Sequence, residues 1–262
     1  MDWMRQLEVC KEVAVEAGEK ILEIYNKEED FQVEYKEGHM PLTIADKAAN
    51  RVIVDRLKQE FPEISILSEE EQDDKSRLDN PLCFIVDPLD GTKEFIKRNG
   101  QFTVNIALSD HTESVMGVIY VPVTRELYYA ARGYGAYREK IGEETEKQKL
   151  HVTDETEIEK LRFVMSSSHG DERIQNMIEK YGIKNFVAMG SSLKGCVIAR
   201  GDAEVYYRYN PTMEWDTAAM QCIVEEAGAI FRQMDDTPMR YNREDSLNAK
   251  GFYIINRKEN RL

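Results

Sequence analysis

Apolar residues near the start of the chain fall at Leu7, Cys10, Val13, Ala14, Ala17, Ile21 and Ile24. Steps of three and four put them on one face of a helix, so an amphipathic helix is predicted over 2–26. A charged stretch over 27–38 follows. Then comes Pro41-Leu42-Thr43 and a second helical pattern from about 45 to 60, which Pro62 ends. The period then changes. Residues 64–67 and 83–86 are short apolar runs, each followed at once by acids, which predicts strands whose ends carry carboxylates. The polar loop 73–80 between them is a candidate mobile cover. After the turn signal Asn99-Gly100, residues 102–108 alternate, 115–121 are β-branched and 127–131 follow a turn. These segments predict a strand meander.

Residues 140–149 are charged and nearly devoid of apolar positions, which places a lobe boundary there: 1–148 and 149–262. Beyond it, strands over 163–166, 185–188 and 203–207 alternate with helices over 171–181, 191–200 and 215–227. Gly228 closes the last helix and a strand over 252–255 ends the series. Such alternation predicts an α/β lobe after a first lobe of α+β type with an antiparallel sheet. Neither an internal repeat nor a low-complexity tract interrupts the pattern.

Charge narrows the partners. A net charge of −14 argues against a nucleic-acid polymer or an anionic membrane as the main partner. No apolar run reaches the roughly 20 residues of a membrane helix, and Met1–Gln6 shows no secretion-signal pattern. The expected compartment is the cytoplasm, free or peripherally at the inner membrane face. Cys10, Cys83, Cys196 and Cys222 lie far apart, as do the four histidines. A zinc site has no support in that spacing, and buried reduced thiols are expected. Any metal here should be a hard ion on oxygen ligands.

The chemistry lies in the acids. In Phe84-Ile85-Val86-Asp87-Pro88-Leu89-Asp90-Gly91-Thr92 an apolar strand ends in Asp87, and Pro88 and Gly91 turn the chain at once. Two carboxylates and a free Leu89 carbonyl at a strand end suit Mg²⁺, which takes a few acids and keeps water in the rest of its shell. An isolated motif of this kind is more often a self-stabilising turn. Here Ser68-Glu69-Glu70-Glu71 follows a second strand, Asp46 opens a helix and Trp215-Asp216 opens another. Singly, Asp46 and Asp216 read as helix caps. Four acidic sites, all at element ends, point to a multi-metal centre.

The ordered set Pro41-x-Thr43-x-x-Asp46, Ser68-Glu69-Glu70, Asp87-Pro88-Leu89-Asp90-Gly91-Thr92 and Trp215-Asp216-x-Ala218-Ala219 resembles the Mg²⁺-dependent, lithium-sensitive inositol monophosphatase superfamily over almost the whole chain. Gly91-Thr92-Lys93-Glu94-Phe95 looks like its CysQ-type branch, the 3′(2′),5′-bisphosphate nucleotidases; inositol phosphatases usually carry a small polar residue and Asn where Lys93 and Glu94 stand. The resemblance implies an α+β fold, the layered αβαβα sandwich of inositol monophosphatase and fructose-bisphosphatase. It implies Glu69, Asp87 and the Leu89 carbonyl on one Mg²⁺, Asp87, Asp90 and Asp216 on a second, and a weaker third ion reached from Glu69 through water. Thr92 would take a proton from the attacking water, oriented by Asp46, with no covalent phosphoenzyme.

The same resemblance makes Gly91, Thr92, His169, Ser191, Lys194, Arg208 and Asp216 substrate-binding. Lys194 and Arg208 keep the branch's spacing of fourteen residues, and a second phosphate on the substrate needs such cations. Tyr206, Tyr207 and Tyr209 offer a base-stacking ring, although alternating aromatics on a strand are more often core. The implied activity is hydrolysis of adenosine 3′,5′-bisphosphate to AMP and phosphate in sulfur assimilation, with 3′-phosphoadenylyl sulfate as a further substrate. The alternatives are an inositol or sugar monophosphatase of the same superfamily and a metal-dependent nucleotide sensor without turnover. There is no P-loop, Gly133-Tyr134-Gly135 reads as a hairpin turn, and Asn210-Pro211-Thr212 is barred from glycosylation by its proline. Oligomeric state leaves no mark in the sequence.

Overall fold

The computed structural model describes residues 3–27, 34–35, 41–143, 147–166 and 171–262. Helix α1 (Met4–Tyr25) buries Leu7, Cys10, Val13, Ala14, Ala17 and Ile21, the stripe that its spacing predicts. Strands β1 (Glu34–Tyr35) and β2 (Pro41–Leu42) form a short antiparallel pair. Helix α2 (Ile44–Glu60) starts at a capping box, in which Thr43 Oγ1 accepts from Ala45 N and Asp46 Oδ2 accepts from Thr43 N.

A seven-stranded sheet follows, its spatial order the same as its chain order. It comprises β3 (Ser65–Ser68), β4 (Leu82–Asp90), β5 (Thr103–Asp110), β6 (Glu113–Val121), β7 (Glu126–Ala131), β8 (Gly135–Lys140) and β9 (Gln148–Lys149), with helix α3 (Thr92–Ile96) between β4 and β5. Turns join β5 through β8 as antiparallel neighbours, whereas β3 and β4 run parallel. Their connection crosses over through the polar loop, long enough to return the chain in the same direction. That loop is fastened rather than loose. Arg77, 2% exposed, donates to Asp73 and Asn242 side chains and to the Arg243 carbonyl.

The rest of the chain forms β10 (Arg162–Ser166), α4 (Glu172–Tyr181), β11 (Asn185–Met189), α5 (Leu193–Ala199), β12 (Val205–Arg208), β13 (Thr212–Met213), α6 (Glu214–Glu226), β14 (Ile230–Gln233), β15 (Leu247–Asn248) and β16 (Phe252–Ile255). Five strands make a second sheet in the order β11-β10-β12-β16-β14, and β13 pairs with β15. The alternation predicts parallel pairing, which holds for β10 with β11 and β12. Strand β16 enters antiparallel between β12 and β14, so this sheet is mixed. Strands β8 and β14 escape the pattern because each has only two apolar residues.

Three apolar clusters lie between five layers. Helices α1 and α2 cover one face of the large sheet. Helices α5 and α6 fill the space between its other face and the small sheet. Helix α4 closes the outer face of the small sheet. This is the expected layered αβαβα sandwich. Helix α6 packs so closely on β6 that a Cβ at Gly117 would collide with the backbone of Ala219. The four cysteines are buried and unpaired, as expected, and burial pushes the Cys83 thiol up to about 12.

Candidate metal and phosphate site

Strand β4 ends in a bulge. Asp87 sits opposite Asn105 and Asp90 opposite Thr103, so three steps on β4 match two on β5. In a regular strand residues three apart face opposite sides; the extra residue cancels that alternation and turns both aspartates the same way. Gly91 then leaves the strand at φ +94, where a Cβ would press on the Gln101 carbonyl and the Ser191 side chain. Thr92 follows as the first residue of α3.

Helix α6 brings Asp216 to the same place. Asp87, Asp90 and Asp216 each present one ligand atom, all within 4.8 Å of one another. Burial first, then the charges of Glu69, Asp90 and Asp216, pushes the Asp87 carboxyl well above its usual range. Burial and then Asp90 push Asp216 up to about 7. Glu69, just after β3, donates its backbone N–H to the Val86 carbonyl, and its charge reaches both Asp87 and Asp216. Carboxylates crowded and buried in this way suit a hard divalent cation, whose charge offsets their repulsion. An all-oxygen donor set of acids on different elements passes that test.

The aspartates share a further feature: each has at least one oxygen held by the protein. Asp46 Oδ2 accepts from Thr43 N at 2.8 Å and Thr43 Oγ1 at 2.6 Å. Asp87 Oδ1 accepts from Leu89 N at 3.1 Å. Asp216 Oδ2 accepts from Met213 N at 2.5 Å, as a helix cap. Capping and site chemistry are therefore not alternatives for Asp46 and Asp216, because one carboxylate oxygen serves each. Asp46 Oδ1 accepts from Thr92 Oγ1 at 3.1 Å, and that hydroxyl lies 3.4 Å from the Leu89 carbonyl. Burial raises the Asp46 carboxyl, against hydrogen bonds from Thr43 and Thr92 that favour its anion.

Beside the acids opens a cavity of about 480 Å³, lined among others by Asp90, Gly91, Ser191, Lys194, Arg208 and Asp216. Its volume is within the range of small-molecule sites. Lys194 on α5 is 8% exposed, and its ammonium lies 5.9 Å from the centre of the Tyr206 ring. Burial lowers its pKa, against the attraction of Asp90. Arg208 ends β12, and its buried Nε has no acceptor among the described residues. Tyr206 and Tyr207 are core residues, while Tyr209 is half-buried beneath the Arg173 guanidinium. His169 lies outside the described residues.

Three neutral residues at the site went unread in the sequence. Asn105 and Ser192 both hydrogen-bond Asp90, while Asn50 on α2 clamps the acidic turn, accepting from Ser68 Oγ and donating to Glu71 Oε1, each at 2.7 Å. Asn105 and Thr103 left one trace: two polar residues at alternate positions of a strand whose flanking residues are apolar. Among the described residues no helix is long and apolar enough to cross a membrane.

Comparison with known proteins agrees with this geometry. Residues 3–260 match the model of the inositol monophosphatase family. The chain is 38% identical over 248 residues to the 3′(2′),5′-bisphosphate nucleotidase CysQ of Escherichia coli K12, covering 94% of this chain and 98% of that protein. It is 38% identical over 255 residues to the protein of the same name from Buchnera aphidicola, covering 96% and 94%. A crystal structure of CysQ from Bacteroides thetaiotaomicron superposes with a TM-score of 0.84 at 42% identity, covering 97% of this chain and 98% of that one. The chain belongs to the inositol monophosphatase family.

Proposed function

We propose that this protein is a Mg²⁺-dependent 3′(2′),5′-bisphosphate nucleotidase that hydrolyses adenosine 3′,5′-bisphosphate to AMP and phosphate, serving sulfur assimilation from the cytoplasm. It is a phosphoric monoester hydrolase by family. The observation that carries the finer reading is the cavity, where Asp90 and Asp216 line the space together with the buried Lys194 and the half-buried Arg208. A substrate with one phosphate needs the acidic end alone, whereas a bisphosphate uses both.

In this reading Glu69, Asp87, Asp90, Asp216 and the Leu89 carbonyl hold the cations. When bound, Mg²⁺ neutralises the phosphate oxygens and lowers the pKa of water. The chain's own part is positional and protonic. Thr92 donates to Asp46 Oδ1, which turns its oxygen lone pairs toward an incoming water. A carboxyl whose pKa burial raises takes the Thr92 proton as Thr92 takes one from that water. Lys194 and Arg208 hold the phosphate that is not cleaved, and His169, Ser191 and Gly91 complete the substrate contacts. The division at about residue 148 is one of labour: the first part supplies the water-activating pair and most metal ligands, the second the substrate cations and Asp216.

The test is phosphate release from adenosine 3′,5′-bisphosphate and from inositol 1-phosphate, each with and without Mg²⁺. Metal-dependent release that strongly favours the bisphosphate is expected. Preference for the inositol ester would remove the nucleotide reading and keep the metal chemistry. Silence on both would leave a sensor without turnover.

A further inference from the structure

Asp90 differs from the other aspartates in how its bound oxygen is held. Asp90 Oδ2 accepts from Ser192 N at 2.7 Å, Ser192 Oγ at 2.7 Å, Ser191 Oγ at 2.8 Å and Asn105 Nδ2 at 3.2 Å. Four donors exceed the lone pairs of one carboxylate oxygen, so Oδ2 has nothing left to offer a cation. The other oxygen, Oδ1, remains.

The donors come from two distant parts of the chain. Asn105 belongs to β5, opposite Asp87 in the large sheet. Its amide also donates to Ser192 Oγ at 2.9 Å, and its carbonyl accepts from Thr103 Oγ1 at 2.8 Å. Ser191 and Ser192 lead directly into α5, which carries Lys194. Ser191 has φ +52, a left-handed conformation that a serine adopts only where its surroundings hold it. The contact of its hydroxyl with Thr103 Oγ1 at 2.6 Å, together with that to Asp90, does so.

We propose that Asn105 and Ser192 are positioning residues: they commit Asp90 to the cation through a single oxygen and tie that choice to the segment that places Lys194. This rests on the metal-centre reading above and deepens it. Neither residue touches a reacting atom. Their effect passes through Asp90, and groups that orient a ligand carboxylate typically govern metal affinity by about 10- to 100-fold. The same bonds make Lys194 and the cation mutually dependent, since Ser192 cannot leave Asp90 without moving the start of α5.

The experiment titrates the protein with Mn²⁺ alone, in the absence of nucleotide, following free Mn²⁺ by electron paramagnetic resonance. Asn105→Ala and Ser192→Ala are expected to weaken binding about tenfold, and Ser192→Thr, which keeps the hydroxyl, to restore it. In the hydrolysis assay the Mg²⁺ needed for half-maximal rate should rise by a similar factor, with kcat at saturating Mg²⁺ little changed. A purely structural role would lower the melting temperature in chelator and leave Mn²⁺ affinity alone. If Asn105→Ala fails to fold, Thr103→Val, which removes the hydroxyl that touches both the Asn105 carbonyl and Ser191 Oγ, should weaken Mn²⁺ about threefold. Wild-type affinity in the variants that fold would overturn the positioning role and spare the metal centre. No Mn²⁺ bound by the wild-type protein would overturn both. Mn²⁺ bound with no bisphosphate hydrolysis would remove the nucleotidase reading alone.

Discussion

The two walls of the cavity are built on opposite plans. On the acidic wall Asp90 and Asp216 line the cavity and Asp46 and Asp87 are buried nearby. Each aspartate has at least one oxygen held by a neighbour, and the neighbours include backbone amides at a helix start or a strand bulge. Short side chains at element ends are aimed by the secondary structure itself. On the basic wall, Lys194 rests near the Tyr206 ring and Arg208 keeps a buried Nε without an acceptor among the described residues. Long side chains are placed by packing along their stems, which leaves their donors for a ligand. The acidic wall is preorganised at the expense of repulsion among its members; the basic wall has donors in reserve.

The largest expected effect breaks the acidic wall. Asp87→Asn keeps the shape and removes a buried charge that four other carboxylates, Glu69, Asp90, Asp216 and Asp46, repel. Turnover should fall about 10³-fold, because the charge that holds the cation and offsets the phosphate is gone. The metal-free protein should at the same time melt at a higher temperature than wild type, since the repulsion is relieved. Phosphate release and thermal melting in chelator check the two halves. Lost activity with lowered metal-free stability would show that Asp87 is held by attraction, against the comparison drawn here.

Breaking the basic wall should cost less and cost it selectively. Lys194→Ala and Arg208→Ala each remove a charged donor to the uncleaved phosphate, an interaction of about 2–3 kcal/mol. The kcat/KM for adenosine 3′,5′-bisphosphate should drop about 10²-fold, by that same energy. Turnover of a simple sugar phosphate should stay near its original value. An equal loss on both substrates would assign these cations to the cleaved phosphate and unite the walls in one function.

How much of this the sequence disclosed follows the same division. The acids at element ends were legible because turn chemistry and charge coincide there: Asp87-Pro88-Leu89-Asp90-Gly91 announces a strand end and a carboxylate pair together. The stripe of α1 and the start of α2 were legible from spacing and capping. What stayed hidden has weak local signal. Asn105, Ser192 and Asn50 are neutral residues whose roles depend on what pairs across the sheet or arrives from 87 residues away, as Ser192 does for Asn105. The bulge at Asp87 needs the partner strand to be seen at all. Arg77 reads as a surface charge in a polar loop, yet it is buried against residues 165 positions later.

The smallest effect sharpens the acidic wall by titrating it. Burial and the Asp90 charge raise Asp216 from 3.8 to about 7 in the metal-free protein, and Asp87 is raised as well. The sign follows from proton counting. Between pH 4 and 7 the unfolded chain has released the Asp216 proton and the folded metal-free protein still holds part of it, so stability falls as pH rises through that window, and the raised Asp87 acts in the same direction. Above about pH 7 Asp216 is deprotonated in both states and its penalty is fully present. A cation competes with those protons, so Mg²⁺ binding should tighten from pH 6 to pH 8. The melting temperature in chelator should therefore decline by a few degrees from pH 5 to pH 7.5, while the rise produced by Mg²⁺ grows over the same interval. In Asp87→Asn both trends should flatten, because one repelling partner has gone. A melting curve that climbs with pH in chelator would mean that the carboxylates are ionised and satisfied by the protein alone, and the acidic wall would then need no cation to complete it.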